Sequence, residues 1–174
     1  MTNPAYDNLI NRRSVRKFIP DRPVEPEVLD AILTAGTFAP SGGNKQDSLI
    51  LLVQDEGDKE LLRALNHKYG KPGGDPFYGA PTLVVVLSDP ADGNCRYNGA
   101  LVMGNLMNAA HALGVGSRWI NRAYQTFNDP EGKALLKKWG IQGEWEGIGY
   151  CILGYADGDL PAPSPRREGY IQKV

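Results

Sequence analysis

Three arginines and a serine lie within one short stretch near the start of the chain, RRSVRKF, as Arg12, Arg13, Ser14 and Arg16. Guanidinium and hydroxyl groups at this spacing offer charge-assisted hydrogen bonds that suit a phosphate dianion. The whole chain has a net charge of −1, with 19 Lys and Arg against 20 Asp and Glu, so no overall field draws it to nucleic acid or to an anionic membrane. The cluster therefore predicts a small anionic ligand, although a solvated basic helix end fits the same spacing.

A second candidate is the segment PSGGNKQ, which begins at Pro40. Its small residues Ser41 and Gly42 let backbone amides come close to the edge of a flat ligand. Asn44 and Gln46 can hydrogen-bond a ring carbonyl or imide. Taken alone, the segment is explained equally well as an ordinary connection between a helix and a strand.

Other chemistries lack their residues. The sequence has no P-loop, no complete dinucleotide-binding glycine turn, no GxSxG elbow and no HExxH pair. Cys95 and Cys151 have no metal-ligand spacing, and His67 and His111 are isolated, which disfavours zinc, a disulfide framework and a Ser/His triad. Free thiols, together with an N-terminus that has no apolar signal core, predict a cytoplasmic protein.

The elements that position these residues alternate along a single domain, residues 1–174. Asn3 followed by Pro4 is typical of a helix start, and runs such as SLILLV and TLVVVL are typical of buried strands. A loop is predicted at 71–81. The Pro-rich tail, residues 157–174, is predicted to pack on a second subunit in a homodimer. Helices are predicted over 3–13, 26–36, 58–69, 97–113 and 128–140, and strands over 48–53, 82–87, 115–120 and 146–156.

Six segments in this order resemble the nitroreductase family of FMN-dependent oxidoreductases over nearly the whole chain. They are RRSVRKF, the second helix running into APSGGNKQ, FYGAP, AAHALGVGSRWI, EGKALLKKWGI and GIGYCILGYA. The resemblance implies an α+β fold: a three-layer α/β/α sandwich with a mixed, mostly antiparallel central sheet, in an intertwined homodimer with FMN at the subunit interface.

The resemblance also implies which residues hold the cofactor. The RRSVR residues would grip the phosphate and ribityl chain with Arg166, and the PSGGNKQ loop of the other subunit would pack on the ring. Asn66 and the backbone around Trp119, Ile120 and Asn121 would contact the ring as well, although core packing explains Trp119 and Ile120 equally well. The complete implied set is Arg12, Arg13, Ser14, Arg16, Pro40, Ser41, Gly42, Asn44, Gln46, Asn66, Trp119, Ile120, Asn121 and Arg166.

The activity implied by the resemblance is NAD(P)H-dependent reduction of a small electron-poor compound, such as a nitroaromatic, a quinone or an enone, by a ping-pong hydride mechanism without a catalytic acid or base. Three positions depart from the family pattern. Asp47 replaces a proline, Asn98 replaces an acid, and Ser164 replaces a lysine. These departures keep open the alternative of a flavin-binding protein, a sink or sensor, without efficient turnover.

Overall fold

A computed structural model of the chain describes residues 3–70 and 73–174. Lys71 and Pro72, the first two residues of the predicted loop 71–81, lie outside the described residues. The described helices are α1 (Pro4–Asn11), α2 (Pro26–Thr37), α3 (Glu56–Lys68), α4 (Cys95–Ala112), α5 (Ala123–Asn128) and α6 (Pro130–Lys138). The strands are β1 (Ser48–Val53), β2 (Thr82–Ser88), β3 (Gly116–Ile120) and β4 (Glu146–Gly154).

Helix starts follow local sequence signals. The Asn3 side chain accepts hydrogen bonds from the backbone amides of Ala5 and Tyr6, at 3.0 and 3.2 Å. Asp129 caps α6 in the same way by accepting from the amide of Glu131. Each cap satisfies amides that have no partner inside the helix, and a proline in the first turn loses no hydrogen bond there.

The four strands form one sheet in the order β1, β2, β4, β3, and every neighbouring pair is antiparallel. The parallel component of the predicted mixed sheet consists of one isolated bridge between Ser14 and Ser117. This bridge matters for the site, because it ties the arginine-rich segment to β3.

Two apolar layers lie on opposite faces of the sheet. Alternate residues of β2 point to opposite sides: Leu83, Val85 and Leu87 join the layer that contains residues of α3, α5 and α6, whereas Val84 and Val86 join the layer of α2 and α4. This alternation follows from the period of two in a β-strand. The predicted α+β class and three-layer arrangement are therefore confirmed.

The helix α5 has no counterpart in the sequence analysis. It has only six residues, too few for a clear helical periodicity, and it is held by tertiary contacts. The Tyr150 hydroxyl and Thr126 Oγ1, both buried, lie 2.7 Å apart in a hydrogen bond. A Cβ on Gly147 would lie 2.2 Å from the Ala123 carbonyl oxygen, so α5 packs directly on β4.

Residues 157–174 form no helix or strand and are exposed in the single chain. Tyr170 and Ile171, near its end, are 71% and 81% exposed. That this tail packs on a partner subunit stays a prediction. Of the described helices, none is long and apolar enough to cross a membrane.

Candidate functional site

The arginine-rich segment runs along the edge of the sheet. The backbone amide of Val15 donates to the Ser117 carbonyl of β3 at 3.1 Å, and the Val15 side chain is buried. Because Val15 points into the core, its neighbours in the extended backbone point away from it. The segment is therefore fixed while its polar side chains remain available to a ligand.

These side chains line a cavity of about 400 Å³ together with the start of the tail. The Arg12 Nη1 and Arg13 Nε nitrogens are buried and have no acceptor among the described residues. Arg13 Nη1 donates to the carbonyls of Ile10 and Arg12, at 2.8 and 2.7 Å, which holds the guanidinium in place. Four implied residues, Arg12, Arg13, Ser14 and Arg16, thus meet Ser164 and Arg166 at one cavity.

The positive charges of these arginines affect a histidine of α4. Burial lowers the pKa of His111, and the positive charges of Arg12 and Arg13 lower it further. His111 therefore stays neutral at neutral pH and does not add to the cationic cluster. The cationic groups that line the cavity are all guanidinium groups.

The PSGGNKQ loop contains a tight turn, Gly42–Asn44, with left-handed backbone at Asn44 and Gln46, whose φ angles are 55° and 52°. Such angles in residues other than glycine cost about 1–3 kcal/mol each and persist only where surrounding contacts impose them. One contact is the Gln46 amide, which donates to Ser41 Oγ at 2.9 Å. Another is the Gly42 amide, which donates to Asn98 Oδ1 at 3.1 Å.

A second cavity, about 320 Å³ in volume, lies beside this loop between α2, β1 and α4. Pro40, Ser41 and Gln46 line it, and Asp47 and Asn98 contribute to its wall. Gly42 and Asn44 are not among its lining residues. Two of the three positions that depart from the family pattern are in contact: Asn98 Nδ2 donates to the Asp47 carboxylate at 2.9 and 3.1 Å.

The third cavity, about 360 Å³, brings together Asn66, Trp119, Ile120 and Asn121. Asn66 is buried, and its side-chain amide donates to the Asn121 carbonyl at 2.8 Å. The Ile120 side chain belongs to one apolar layer and the Trp119 side chain packs on the other. The two expectations for this pair are therefore compatible, since the side chains pack in the core while both residues line the cavity.

Three residues that sequence reasoning missed line the same cavity: Tyr78, Arg118 and Arg122. Arg118 places its guanidinium 4.6 Å from the centre of the Tyr78 ring. Arg122 donates from Nε to the Tyr69 carbonyl at 2.7 Å. The available signal was the positive charge of Arg118, within the segment GSRWIN, and of Arg122, immediately after it. Only the fold shows that loop 75–79 lies against β3.

The arrangement divides the implied site into two parts. The arginine cavity and the Asn66 cavity lie along the same strand, because the segment that carries Arg12 pairs with β3 through Ser117. The loop cavity lies beside β1, at the opposite edge of the sheet from β3. Within one chain, the described structure thus does not bring Pro40, Ser41 and Gln46 to the residues that were expected to share their ligand.

Thiol and metal chemistry find no support in the described residues. Both cysteines are free and buried, and burial raises the pKa of the Cys151 thiol to about 12. A thiol with so high a pKa is a poor nucleophile and metal ligand at neutral pH. No cluster of His, Cys, Asp or Glu among the described residues could hold a metal ion.

Known proteins resemble this chain in sequence and in fold. The profile described as "Nitroreductase family" matches residues 9–75. A protein of Archaeoglobus fulgidus named "Putative NADH dehydrogenase/NAD(P)H nitroreductase" is 30% identical over 117 residues, 64% of each chain. A second protein of that name, from Methanothermobacter thermautotrophicus, is 31% identical over 62% of this chain and 56% of its own length. The match thus spans less than two thirds of these relatives.

Solved structures match over the full length. A nitroreductase with bound FMN from Bacteroides fragilis has a TM-score of 0.89 and 29% identity, covering 99% of this chain and 100% of its own. A nitroreductase with bound FMN from Desulfitobacterium hafniense has the same TM-score with 25% identity, and the match covers 100% of both chains. The fold therefore extends to the C-terminal half, which the profile does not reach.

Proposed function

Because the chain is similar to nitroreductases in sequence and in fold, we propose that it is an FMN-dependent oxidoreductase that uses NAD(P)H to reduce a small electron-poor organic compound. The observation that carries the proposal is the pair of buried nitrogens on Arg12 and Arg13 that have no acceptor within residues 3–70 and 73–174, in a cavity that Arg166 also lines. Buried charged donors without acceptors are costly, so this site suits a ligand that brings several anionic oxygens. The phosphate of FMN is such a ligand.

The residues fit the rest of the cofactor as well. In this proposal, the ribityl chain leads from the arginine cavity past Ser14 along β3, and the ring reaches the cavity of Asn66 and Asn121. Asn66 already donates one amide hydrogen to Asn121, and this bond fixes which of its remaining polar groups face the ring.

When bound, FMN would accept a hydride from NAD(P)H and pass two electrons to the oxidant in a separate step, which gives ping-pong kinetics. The chain would orient both reactants and provide donors for the negative charge that develops during the reaction. No side chain is proposed as a catalytic acid or base. Nitroaromatics, quinones and enones remain the substrate classes, and either NADH or NADPH fits the proposal.

We further propose that the active form is a homodimer with two shared sites. The separation of the loop cavity from the other two supports this, because a partner's loop could complete each site. Exposed apolar side chains also support it: Phe38 next to the loop and Tyr97 on α4 are 79% and 71% exposed. The free cysteines are consistent with a reducing compartment, and cytoplasmic localisation stays a prediction.

The test is the visible spectrum of the purified protein, first with added FMN and then with NADH or NADPH under anaerobic conditions. We expect a bound flavin band near ~450 nm that one nicotinamide bleaches and that an added quinone or nitroaromatic restores, at about 1–1000 turnovers per second. A bound flavin that neither nicotinamide reduces would favour the flavin sink or sensor. Absence of flavin binding would exclude both functions.

A second experiment tests the phosphate site by comparing the binding affinity for FMN with that for riboflavin, which lacks the phosphate. Arg13→Ala should weaken FMN binding about 10- to 100-fold, the effect of losing charge-assisted hydrogen bonds, with little change for riboflavin. Arg22→Ala is the control, because Arg22 stacks on Tyr155 and lines none of the three cavities. Equal FMN affinity in Arg13→Ala and the unmodified protein would refute the phosphate assignment.

A further inference from the structure

We propose that Arg118 and Arg122 form an anion site in the Asn66 cavity. The preferred oxidant would then be a planar aromatic compound with a carboxylate or a similar acid group. This inference rests on the proposed function and adds the chemical class of the substrate. Its evidence is the charge, burial and positioning of Arg118, Arg122 and Tyr78 in this cavity.

Arg118 has a guanidinium group that lacks acceptors. Its Nε and Nη1 nitrogens are buried and have no hydrogen-bond partner among the described residues. The face of the Tyr78 ring, 4.6 Å away, attracts the cation, but it accepts no conventional hydrogen bond. A buried cation in this state is costly, and an anionic ligand would satisfy both nitrogens in the bidentate manner that carboxylates and guanidinium groups share.

The turn that carries Tyr78 is built to hold that ring in place. Tyr78 has left-handed backbone, with a φ angle of 56°, which a tyrosine rarely adopts. The Asp75 carboxylate accepts from the amides of Phe77 and Gly79, at 2.9 and 2.6 Å, and from Arg63 Nε at 2.9 Å. These contacts impose the strained turn, and the result is a fixed aromatic face on one side of Arg118.

Charge balance in the cavity favours an anion. Arg122 lines the same wall, with Nε committed to the Tyr69 carbonyl. Asp75 is the acidic residue among the lining residues, and its carboxylate is already paired with Arg63. Two arginines therefore face the cavity without a free counter-charge from its lining residues.

The position of Arg118 beside the proposed flavin site favours a planar aromatic acid as the ligand. Arg118 is adjacent in sequence to Trp119, and both line the cavity that the proposed function assigns to the flavin ring. An aromatic oxidant that lies against the flavin can therefore reach Arg118 with an acid group on its rim. The cavity, about 360 Å³, is in the size range of small-molecule sites.

The experiment measures binding to the FMN-loaded protein through changes in the flavin absorption spectrum. The ligands are 4-nitrobenzoate and 4-nitrobenzamide, which have the same ring and nearly the same size but differ in charge. We expect the unmodified protein to bind the benzoate at least about 10-fold more tightly, as one charged hydrogen-bonded pair predicts. This comparison needs no variant.

Arg118→Gln should weaken benzoate binding about 10- to 100-fold and change benzamide binding by less than about 3-fold. Arg118→Lys, which keeps the charge but loses the bidentate geometry, should recover part of the affinity. Arg22→Gln is the matched control, since Arg22 also stacks on a tyrosine, at 3.6 Å from the Tyr155 ring, and it should bind both ligands like the unmodified protein.

Three results would overturn the inference while leaving the proposed function in place. The first is equal affinity of the unmodified protein for the two ligands. The second is an Arg118→Gln variant that loses FMN rather than benzoate, which would assign Arg118 to the cofactor. The third is a variant that loses NADPH rather than benzoate, which would assign it to the donor. A protein that binds no FMN would instead overturn the proposed function itself.

Discussion

The side chain of Asn98 connects the PSGGNKQ loop to α4. It accepts from the Gly42 amide and donates to both oxygens of Asp47, so its amide group uses its acceptor and its donor side together. Asn98 is 4% exposed, and a buried amide with all its partners present fixes local geometry strongly. Two of the three departures from the family pattern, Asp47 and Asn98, thus form one hydrogen-bonded pair.

The pair predicts a charge-swap result. Asn98→Asp places a second carboxylate against Asp47 and should weaken FMN binding about 10-fold, the scale of coupling between residues in contact. The double variant Asp47→Asn with Asn98→Asp restores a donor facing an acceptor and should return the affinity to within about 3-fold of the original. Flavin fluorescence during FMN titration measures both.

The matched control is Asn108→Asp, the same substitution on the same helix away from the loop cavity, which should leave FMN affinity within about 3-fold. A double variant as weak as Asn98→Asp would contradict the pairing. Unchanged affinity in all of these variants would show that the loop does not contribute to cofactor binding.

At the scale of elements, two buried carboxylates join α3 to α6. Asp129 accepts from Lys68 Nζ and from the Tyr69 hydroxyl, both at 2.6 Å, while capping α6. Asp58 on α3 accepts from Lys138 and from the Trp139 indole, at 2.6 and 2.8 Å. Because Asn66 lies on α3, these hydrogen bonds also help to position one wall of the Asn66 cavity.

Asp129 should make stability pH-dependent in a defined window. The Lys68 and Tyr69 hydrogen bonds and the Glu131 amide lower the pKa of Asp129 from 3.8 to about 2. A lowered folded-state pKa gives stabilisation that is complete above the unfolded-state pKa and is lost as pH falls through the folded-state pKa. Asp129→Asn should therefore lower the melting temperature by about 2–4 °C at pH 7, and the difference should shrink between pH 4 and pH 2.

Thermal unfolding at a series of pH values measures this difference. Asp157→Asn serves as the control, because Asp157 pairs with Lys17 on the surface, where the two side chains are 46% and 76% exposed. Exposed ion pairs contribute little to stability, so this variant should have the same melting temperature as the unmodified protein. A difference for Asp129→Asn that stays constant down to pH 2 would show that its charge is not the source of the stabilisation.

The proposed homodimer would account for the positions of the cavities, because two chains could complete each other's sites. The arginine cavity and the Asn66 cavity lie along β3, and the loop cavity lies between α2, β1 and α4. In a two-fold dimer, each site would take Arg13 from one chain and Asn44 from the other. Defects in the two residues should then be separable by mixing chains.

The shared site can be tested by mixing subunits that carry different defects and measuring FMN binding. Arg13→Ala and Asn44→Ala homodimers should both bind FMN weakly, because every site has one defect. A heterodimer of the two, purified with two affinity tags, should have one intact site and one doubly defective site. We expect half of the normal FMN stoichiometry at the original affinity, measured by calorimetry.

The controls for mixing are the two homodimers and an unmodified heterodimer with the same tags. If each site lay within one chain, the mixed dimer would have two weak sites and no binding at the original affinity. A chain that elutes as a monomer with FMN bound would contradict the shared site more directly.

The amino-acid sequence by itself determined the features that depend on local physics. Strands such as 48–53 and 82–87 follow from short apolar runs, and the first turn of α1 follows from Asn3 and Pro4, because burial periodicity and helix capping act over a few residues. The α+β class was implied by the resemblance of six sequence segments to a known family. The arginine cluster was visible because its members are neighbours in the chain.

Contacts between residues that are distant in the sequence depend on the complete fold. Asp47 contacts Asn98, Tyr78 lies over Arg118, and Asn66 binds Asn121, although 40 or more residues separate each pair along the chain. The short helix α5 forms because Thr126 bonds to Tyr150 and Gly147 leaves it room, and neither contact is visible in six residues of sequence. The physical reason is that pairing, burial and strain at these positions depend on elements brought together by folding, whereas periodicity and capping report only on near neighbours.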